Sequence, residues 1–329
     1  MTYKNNKLGA FIVPTGIGAS IGGYAGDASY WAREFAKYMQ LIVNPNVVNA
    51  GCFSGITENM LYVEGYTLDS FFKNEINLKE SNNNKIGIIY DKAIPQDVLN
   101  IHINTQNAVQ TIYGINIHNY VITEDEVGVE FFITDEGISV GNIRNISTLD
   151  NATSKLLDAG CDAIAIVCLF EDPEDDNTDY SNGYGVDPVG GVEAIISHYI
   201  SKKYKVPCAH SPAFLDCTID SKIVNPKASA EYITPTFLPC ILLGLSQAPK
   251  ITNKLDTDIN ISNLDYLIVP HNSLGGIPII KAIEKNIKVF AIKENTTVLN
   301  IDKNKIFTNE QNIIEVPTYK DCLSRILES

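Results

Sequence analysis

Apolar residues along the chain gather in short runs that are hydrophobic at successive positions, and stretches of helical spacing lie between them. The runs are GAFIVP (9–14), KIGIIYD (85–91), NYVIT (119–123), VEFFIT (129–134), DAIAIVCLF (162–170), VPCAH (206–210), DYLIVPH (265–271) and KVFAIKE (288–294). A strand covered on both faces has this unbroken apolar character. The periodicity predicts helices over 27–39, 95–112, 148–159, 188–202, 275–285 and 317–328. Asp27, Thr148 and Asp187-Pro188 are placed to start three of them, and Gly160 to stop one. The alternation predicts an α/β fold, a mostly parallel sheet with flanking helices arranged as two similar Rossmann-like halves. Residues 115–147 alternate and turn like a hairpin, so a small antiparallel excursion is expected beside the main sheet. The expected organisation is an N-terminal α/β region over 1–114 with a Gly-rich loop, the hairpin over 115–147, and a second α/β region over 148–329.

Three junctions between an apolar run and a helical pattern are rich in glycine: PTGIGASIGGYAGDA (14–28), GYGVDPVGGVEA (183–194) and PHNSLGGIPII (270–280). In parallel α/β sheets ligands bind beyond the carboxyl ends of strands, where loops lead into helices. Glycine lets backbone N–H groups approach a ligand, and the first turn of a helix leaves about four of them unpaired, which suits a carboxylate or phosphate. Thr15, Gly16, Gly18, Ser20, Gly22, Gly23, Gly190, Gly191, Asn272, Ser273, Gly275 and Gly276 are the expected substrate-binding positions, and Glu58 joins them on its place after a further Gly-containing stretch. On this reading Gly22→Val weakens anion binding without unfolding the protein. Tight turns and close packing are the plainer use of the same glycines. The named nucleotide motifs do not fit, since GxGxxG counted from Gly16 requires glycine where Ile21 stands, and no P-loop Lys follows.

Proton transfer calls for titratable groups at the same junctions. His271 follows the LIVP run directly, His210 follows VPCA, and Asp187 precedes the Gly190-Gly191 pair, so these three are the expected catalytic residues. His102, His118 and His198 fall on helix or hairpin positions and are expected to serve structure. The acidic loop EDPEDDNTDYSNGYG (171–185) is read as a solvated lid, with a divalent-cation site as the alternative, and it lacks the calcium-loop spacing. Seven dispersed cysteines, mostly within apolar runs and without a CxxC pair, predict buried free thiols and no metal site. A net charge of −14 argues against nucleic acid. No stretch is apolar over the ~20 residues a membrane span requires, and no secretory signal is read at the N-terminus, so a cytoplasmic protein is expected.

Taken together, IVPTGIGASIGGYAGDA, NPNVVNAG, ENMLYVEG, LLDAGCDAIAIV, GVDPVGGVEAIISH, VPCAHSPA, TFLPCILLGLSQAP and IVPHNSLGG resemble a family catalogued as domain of unknown function 3326. That resemblance spans nearly the whole chain and implies no activity. A looser one, carried by AGCDAIAIVC and DYLIVPHNSLGGIPIIKAIEKNIKVFAI, is to the aspartate/glutamate racemase superfamily. It implies two similar α/β halves and a two-base mechanism with a cysteine in each. This chain carries Thr15 and His271 at the matching points, which implies that cysteine chemistry has been lost or moved.

The expected function is that of an enzyme acting on a small anionic metabolite, a carboxylate or phosphate, by acid–base chemistry of isomerase, lyase or transferase type. The alternative is a non-catalytic ligand-binding or assembly protein using the same glycine-rich anion site. No cofactor is expected. The expected partners are the metabolite and further copies of the chain, with no nucleic acid and no membrane.

Overall fold

A computed structural model describes residues 7–135, 139–170, 180–186, 190–219, 221–253, 258–306 and 311–328. Its frame is two parallel sheets. The first has six strands in the order Ile313–Val316, Lys288–Ile292, Tyr266–Pro270, Leu8–Phe11, Gln40–Val43 and Met60–Tyr62, all parallel. Ala10 lies between Leu267 on one side and Ile42 on the other, and every residue of Leu8–Phe11 and Tyr266–Pro270 is buried, so the central strands are covered on both faces, as their unbroken apolar runs require. The second sheet has four strands in the order Cys208–Ala213, Ala163–Leu169, Ile86–Tyr90 and Ile117–Ile122, again all parallel.

The eight runs read from the sequence are all strands, and the six helical patterns are helices at Ser29–Ala36, Gln96–Tyr113, Ile146–Asp158, Gly190–Tyr204, Ile277–Glu284 and Tyr319–Glu328. The antiparallel excursion is the pair Val129–Ile133 and Ser139–Ile143, while Ile117–Ile122 joins the second sheet as a parallel edge strand. Two of the expected caps are used otherwise. Ala28, not Asp27, stands at the cap of Ser29–Ala36, and the Thr148 hydroxyl accepts the Asp125 N–H, 3.1 Å away, inside the helix that starts at Ile146.

Strand pairing cuts across the boundaries at 114 and 147. The first sheet is assembled from the two ends of the chain and the second from its middle. Helix Leu238–Ser246 lies between them and is buried on nearly every side, through Leu238, Pro239, Cys240, Ile241, Leu242, Gly244 and Leu245. Its apolar residues belong to a core cluster that takes in Phe11, Leu41 and Tyr62 of the first sheet together with Ile88, Ala165 and Val167 of the second.

In the first sheet the chain runs outward in one direction from Leu8–Phe11 and in the other from Tyr266–Pro270. The helices that follow these two strands lie on opposite faces, Phe35 packing in one core cluster and Ile279 in another. The carboxyl ends of these two strands form the switch point at which an open α/β sheet leaves a crevice.

Candidate functional site

The glycine-rich loop leaves Leu8–Phe11 at this switch point and is fastened along its length. Val13 exchanges both backbone hydrogen bonds with the Asn44 side chain, at 3.0 and 2.6 Å, and the Thr15 hydroxyl donates to Asn46 Oδ1 at 3.1 Å. Ser20 accepts the Thr296 N–H on its hydroxyl at 2.9 Å, and the buried Asn295 holds Ile21 through both ends of its amide. Gly16, Gly18, Gly22 and Gly26 all have positive φ. At Gly22, with φ 90°, a Cβ would lie 2.8 Å from Val13 Cγ2. Its N–H donates to Asp27 Oδ1 at 2.6 Å, so turn and packing both require glycine there. The expectation that Gly22→Val spares the fold is therefore corrected. Gly23 is equally confined, since a Cβ on it would strike the Ala19 carbonyl.

The 270–280 junction is also tied down. Asn272, buried, pairs its amide with the backbone of Thr297, at 2.7 and 3.0 Å, and the buried Ser273 hydroxyl donates to the Pro270 carbonyl at 3.3 Å. The Asn272 side chain thus holds the 295–301 segment across the switch point and the Ser273 side chain closes its own turn, and neither is presented to a ligand. Gly276 caps the helix Ile277–Glu284, with Gly275 before it. The 183–194 junction touches the 14–28 loop, because a Cβ on Gly18 would lie 3.0 Å from Val186 and 3.0 Å from Val298. Gly190 and Gly191 open the helix Gly190–Tyr204. Asp187 lies outside the described residues, as do 171–179 of the acidic loop.

His271 keeps its place at a carboxyl end and gains a partner that sequence reasoning missed. Its Nε2 is 2.9 Å from Glu315 Oε1, with Lys293 and Lys303 Nζ 3.4 and 3.6 Å from the other carboxylate oxygen. Burial tends to raise the Glu315 pKa, but the His271 hydrogen bond and the two lysines outweigh it and hold the carboxyl below its usual range. Glu315 sits opposite Ala291, which sits opposite Val269, so this group belongs to the face covered by Ile277–Glu284. His210 is corrected more sharply. It lies within the strand Cys208–Ala213, opposite Ile166, and not beyond its end. Near it, His198 stands 3.8 Å from the buried Glu64, whose carboxylate caps the helix Gly65–Phe72 through Tyr66 and Thr67. Burial, aided by His210, pushes the His198 imidazole down to about 4. Glu58 is exposed and precedes Met60–Tyr62, at the amino edge of the sheet, away from the loops. His102 is buried with Nδ1 3.0 Å from the Val98 carbonyl, a structural role as expected. All seven cysteines are free, and burial raises the Cys168 and Cys208 thiols well above the ordinary value. Among the described residues no three His, Cys, Asp or Glu side chains gather to hold a metal.

A cleft of about 550 Å³ opens where the glycine loop ends, on the other face of the sheet from His271. One wall is Ala25 to Ser29 with Tyr30, Arg33, Glu34 and Lys37 of the following helix. The hairpin around Ala50 and Phe53 to Gly55 forms a second wall, and Pro226, Lys227 and Ala230 a third. The third wall is fixed to the loop, since Glu231 Oε1 accepts the Ala25 N–H at 2.7 Å and the Tyr180 hydroxyl at 2.9 Å, and Lys227 Nζ lies 4.4 Å over the Tyr24 ring. Asp27 lines this cleft, and its burial pushes the carboxyl up to about 7 against the opposing pull of the Gly22 and Tyr24 backbone and of Lys227. Lys37 is paired with Glu34, whereas among the described residues Arg33 and Lys227 stand in no salt bridge, Lys227 acting on the Asp27 carboxyl only across a distance. Of the expected site residues none lines the cleft. Arg33 was visible only as the polar side of a helix following the glycines, and Lys227 gave no signal.

The sequence profile of the family described as "Protein of unknown function (DUF3326)" matches residues 9–327. A protein of Synechococcus sp. named an uncharacterized lipoprotein is 39% identical over 298 residues, covering 88% of this chain and 82% of the relative. That name does not fit the cytoplasmic location expected above, and the expectation is withdrawn. No solved structure matches the chain. Nothing in these comparisons supports the racemase resemblance. By a match that runs almost from end to end, the chain belongs to the family of unknown function DUF3326.

Proposed function

We propose that the protein is an enzyme that acts on a small anionic metabolite by acid–base chemistry, in the cleft beside Asp27. One observation carries this reading: a carboxyl group with a pKa of about 7 lines the same 550 Å³ cleft as two cations, Arg33 and Lys227, that stand in no salt bridge among the described residues. The volume is that of a small-molecule site, for which about 300–1,000 Å³ is usual. Arg33 and Lys227 hold the anionic group. An acid whose pKa lies at the working pH is present in both protonation states and can give or take a proton at a ligand atom within hydrogen-bond reach. Isomerases, lyases and transferases all use such a step. His271 with Glu315 lies on the other face and is assigned no part in it. The lipoprotein name of the relative extends, within this proposal, to a membrane-attached setting.

The test is to identify by mass spectrometry the small molecule that co-purifies with the protein and return it to fresh protein. Conversion, slowed by about two to four orders of magnitude in Asp27→Asn with affinity within roughly tenfold, is the expected result. Recovery of the molecule unchanged by wild-type protein would overturn the enzyme reading in favour of a binding protein.

A further inference from the structure

Two large rings stand exposed on the walls of this cleft, Tyr30 at 62% and Phe53 at 54%. Neither is loose. The Tyr30 ring meets Trp31 edge-on, 5.1 Å between centroids, and Trp31 stacks on the buried Tyr319 at 5.8 Å. Phe53 is held in the short antiparallel pair by its register with Ala50. Behind them the lining is made of residues with little or no side chain: Ala25, Gly26, Ala50, Gly55 and Ala230, with Pro226. The walls touch there, since a Cβ on Gly26 would lie 2.6 Å from that of Ala50 and one on Gly55 would strike the Ser29 side chain. The result is a lining of small, mostly apolar residues interrupted by Asp27, Ser29 and Ser54, with exposed aromatic rings on two walls and the cations Arg33 and Lys227 among them.

Exposed apolar groups that share a concavity are the informative exception to surface composition. Aromatic faces take a flat partner in offset or edge-on contact, while guanidinium and ammonium groups take its charge. We propose that the ligand of this cleft is an aromatic acid, with a carboxylate or phosphate carried on a flat apolar ring system. The negative group lies against Arg33 and Lys227, and the ring lies over the small residues between Tyr30 and Phe53. This rests on the cleft being the ligand site, and it adds the body of the ligand to its charge.

Two probes of equal charge separate the two claims: naphthalenesulfonate and methanesulfonate, titrated calorimetrically into the full chain. Naphthalenesulfonate is expected to bind at least roughly tenfold more tightly. Tyr30→Ala and Phe53→Ala should each lower its affinity several-fold and leave methanesulfonate unchanged, while Lys227→Met weakens both. Both residues chosen for the alanine variants are exposed, and circular dichroism confirms that the variants fold. Equal binding of the two probes would overturn the aromatic proposal and leave the anion site standing. Naphthalenesulfonate binding that is blind to Tyr30, Phe53 and Lys227 would place it elsewhere and overturn the proposal too. Failure of both probes to bind would remove the cleft reading and the aromatic ligand with it.

Discussion

Asp27 shows how one side chain can be misread locally and still matter. In the sequence it stands just before a helical pattern and looks like a cap. In the fold the helix begins two residues later and the carboxylate turns back to the Gly22 N–H. Folding raises its pKa from 3.8 to about 7, so the folded state binds this proton more tightly than the unfolded chain. The associated stability is complete below the unfolded value and is lost as pH rises through about 7. Asp27→Asn keeps an oxygen for Gly22 and removes the titration. It should therefore match wild type near pH 4 and exceed it above pH 8 by on the order of 2 kcal/mol, a figure reduced from full linkage because the side chain is only half-buried. Urea denaturation at the two pH values measures this, and parallel pH profiles would sink it. Gly22→Ala should cost about 1–3 kcal/mol in the same assay, from its positive φ and the contact with Val13; a neutral result would restore a ligand-only role for the loop. The polar residues beside His271 were legible as a cluster but not in their use. Asn272 and Ser273 are spent on backbone partners, and Glu315, 44 residues from His271, is brought there by strand pairing alone.

At the scale of elements, what the sequence made visible was whatever repeats over enough residues. Strands buried on both faces read as unbroken runs, and Gln96–Tyr113 shows an apolar stripe against a polar face. Gln40–Val43 and Met60–Tyr62, of four and three residues, are too short to show a period. Helix Leu238–Ser246 was hidden for the opposite reason. It is apolar all round, so nothing in FLPCILLGLS separates helix from strand. Within it Gly244 is needed by its neighbour, because a Cβ there would lie 2.6 Å from the Tyr62 ring of the first sheet. Alanine is the better helix former by about 1 kcal/mol, but overpacking a tight core costs typically ~1–3. Gly244→Ala is thus expected to lower the melting temperature, and a rise would mean that the helix and Tyr62 can move apart freely. The cleft is a product of such packing, drawn from three segments distant in sequence, and only its first wall adjoins a motif that could be read.

For the whole molecule the controlling fact is that each sheet takes strands that no local pattern assigns to it. Leu8–Phe11 pairs with Tyr266–Pro270, and Ile86–Tyr90 pairs with Ala163–Leu169, so divisions at 114 and 147 separate strands that are hydrogen-bonded neighbours. A fragment of residues 1–114 should accordingly show no cooperative thermal transition by circular dichroism, since it holds three strands of the first sheet without their inner neighbour and a single, unpaired strand of the second. A sharp transition from that fragment would show that the N-terminal region is a unit after all. The same pairing orders events on the ribosome. The first strand to emerge soon has Gln40–Val43 on one side but must wait for its other neighbour about 250 residues behind it, which at ~5–20 residues per second is roughly ten seconds to a minute. All four strands of the second sheet are made within that interval. The middle of the protein can therefore be finished before its beginning, and Leu8–Phe11, apolar on both faces, spends the wait as an open sheet edge.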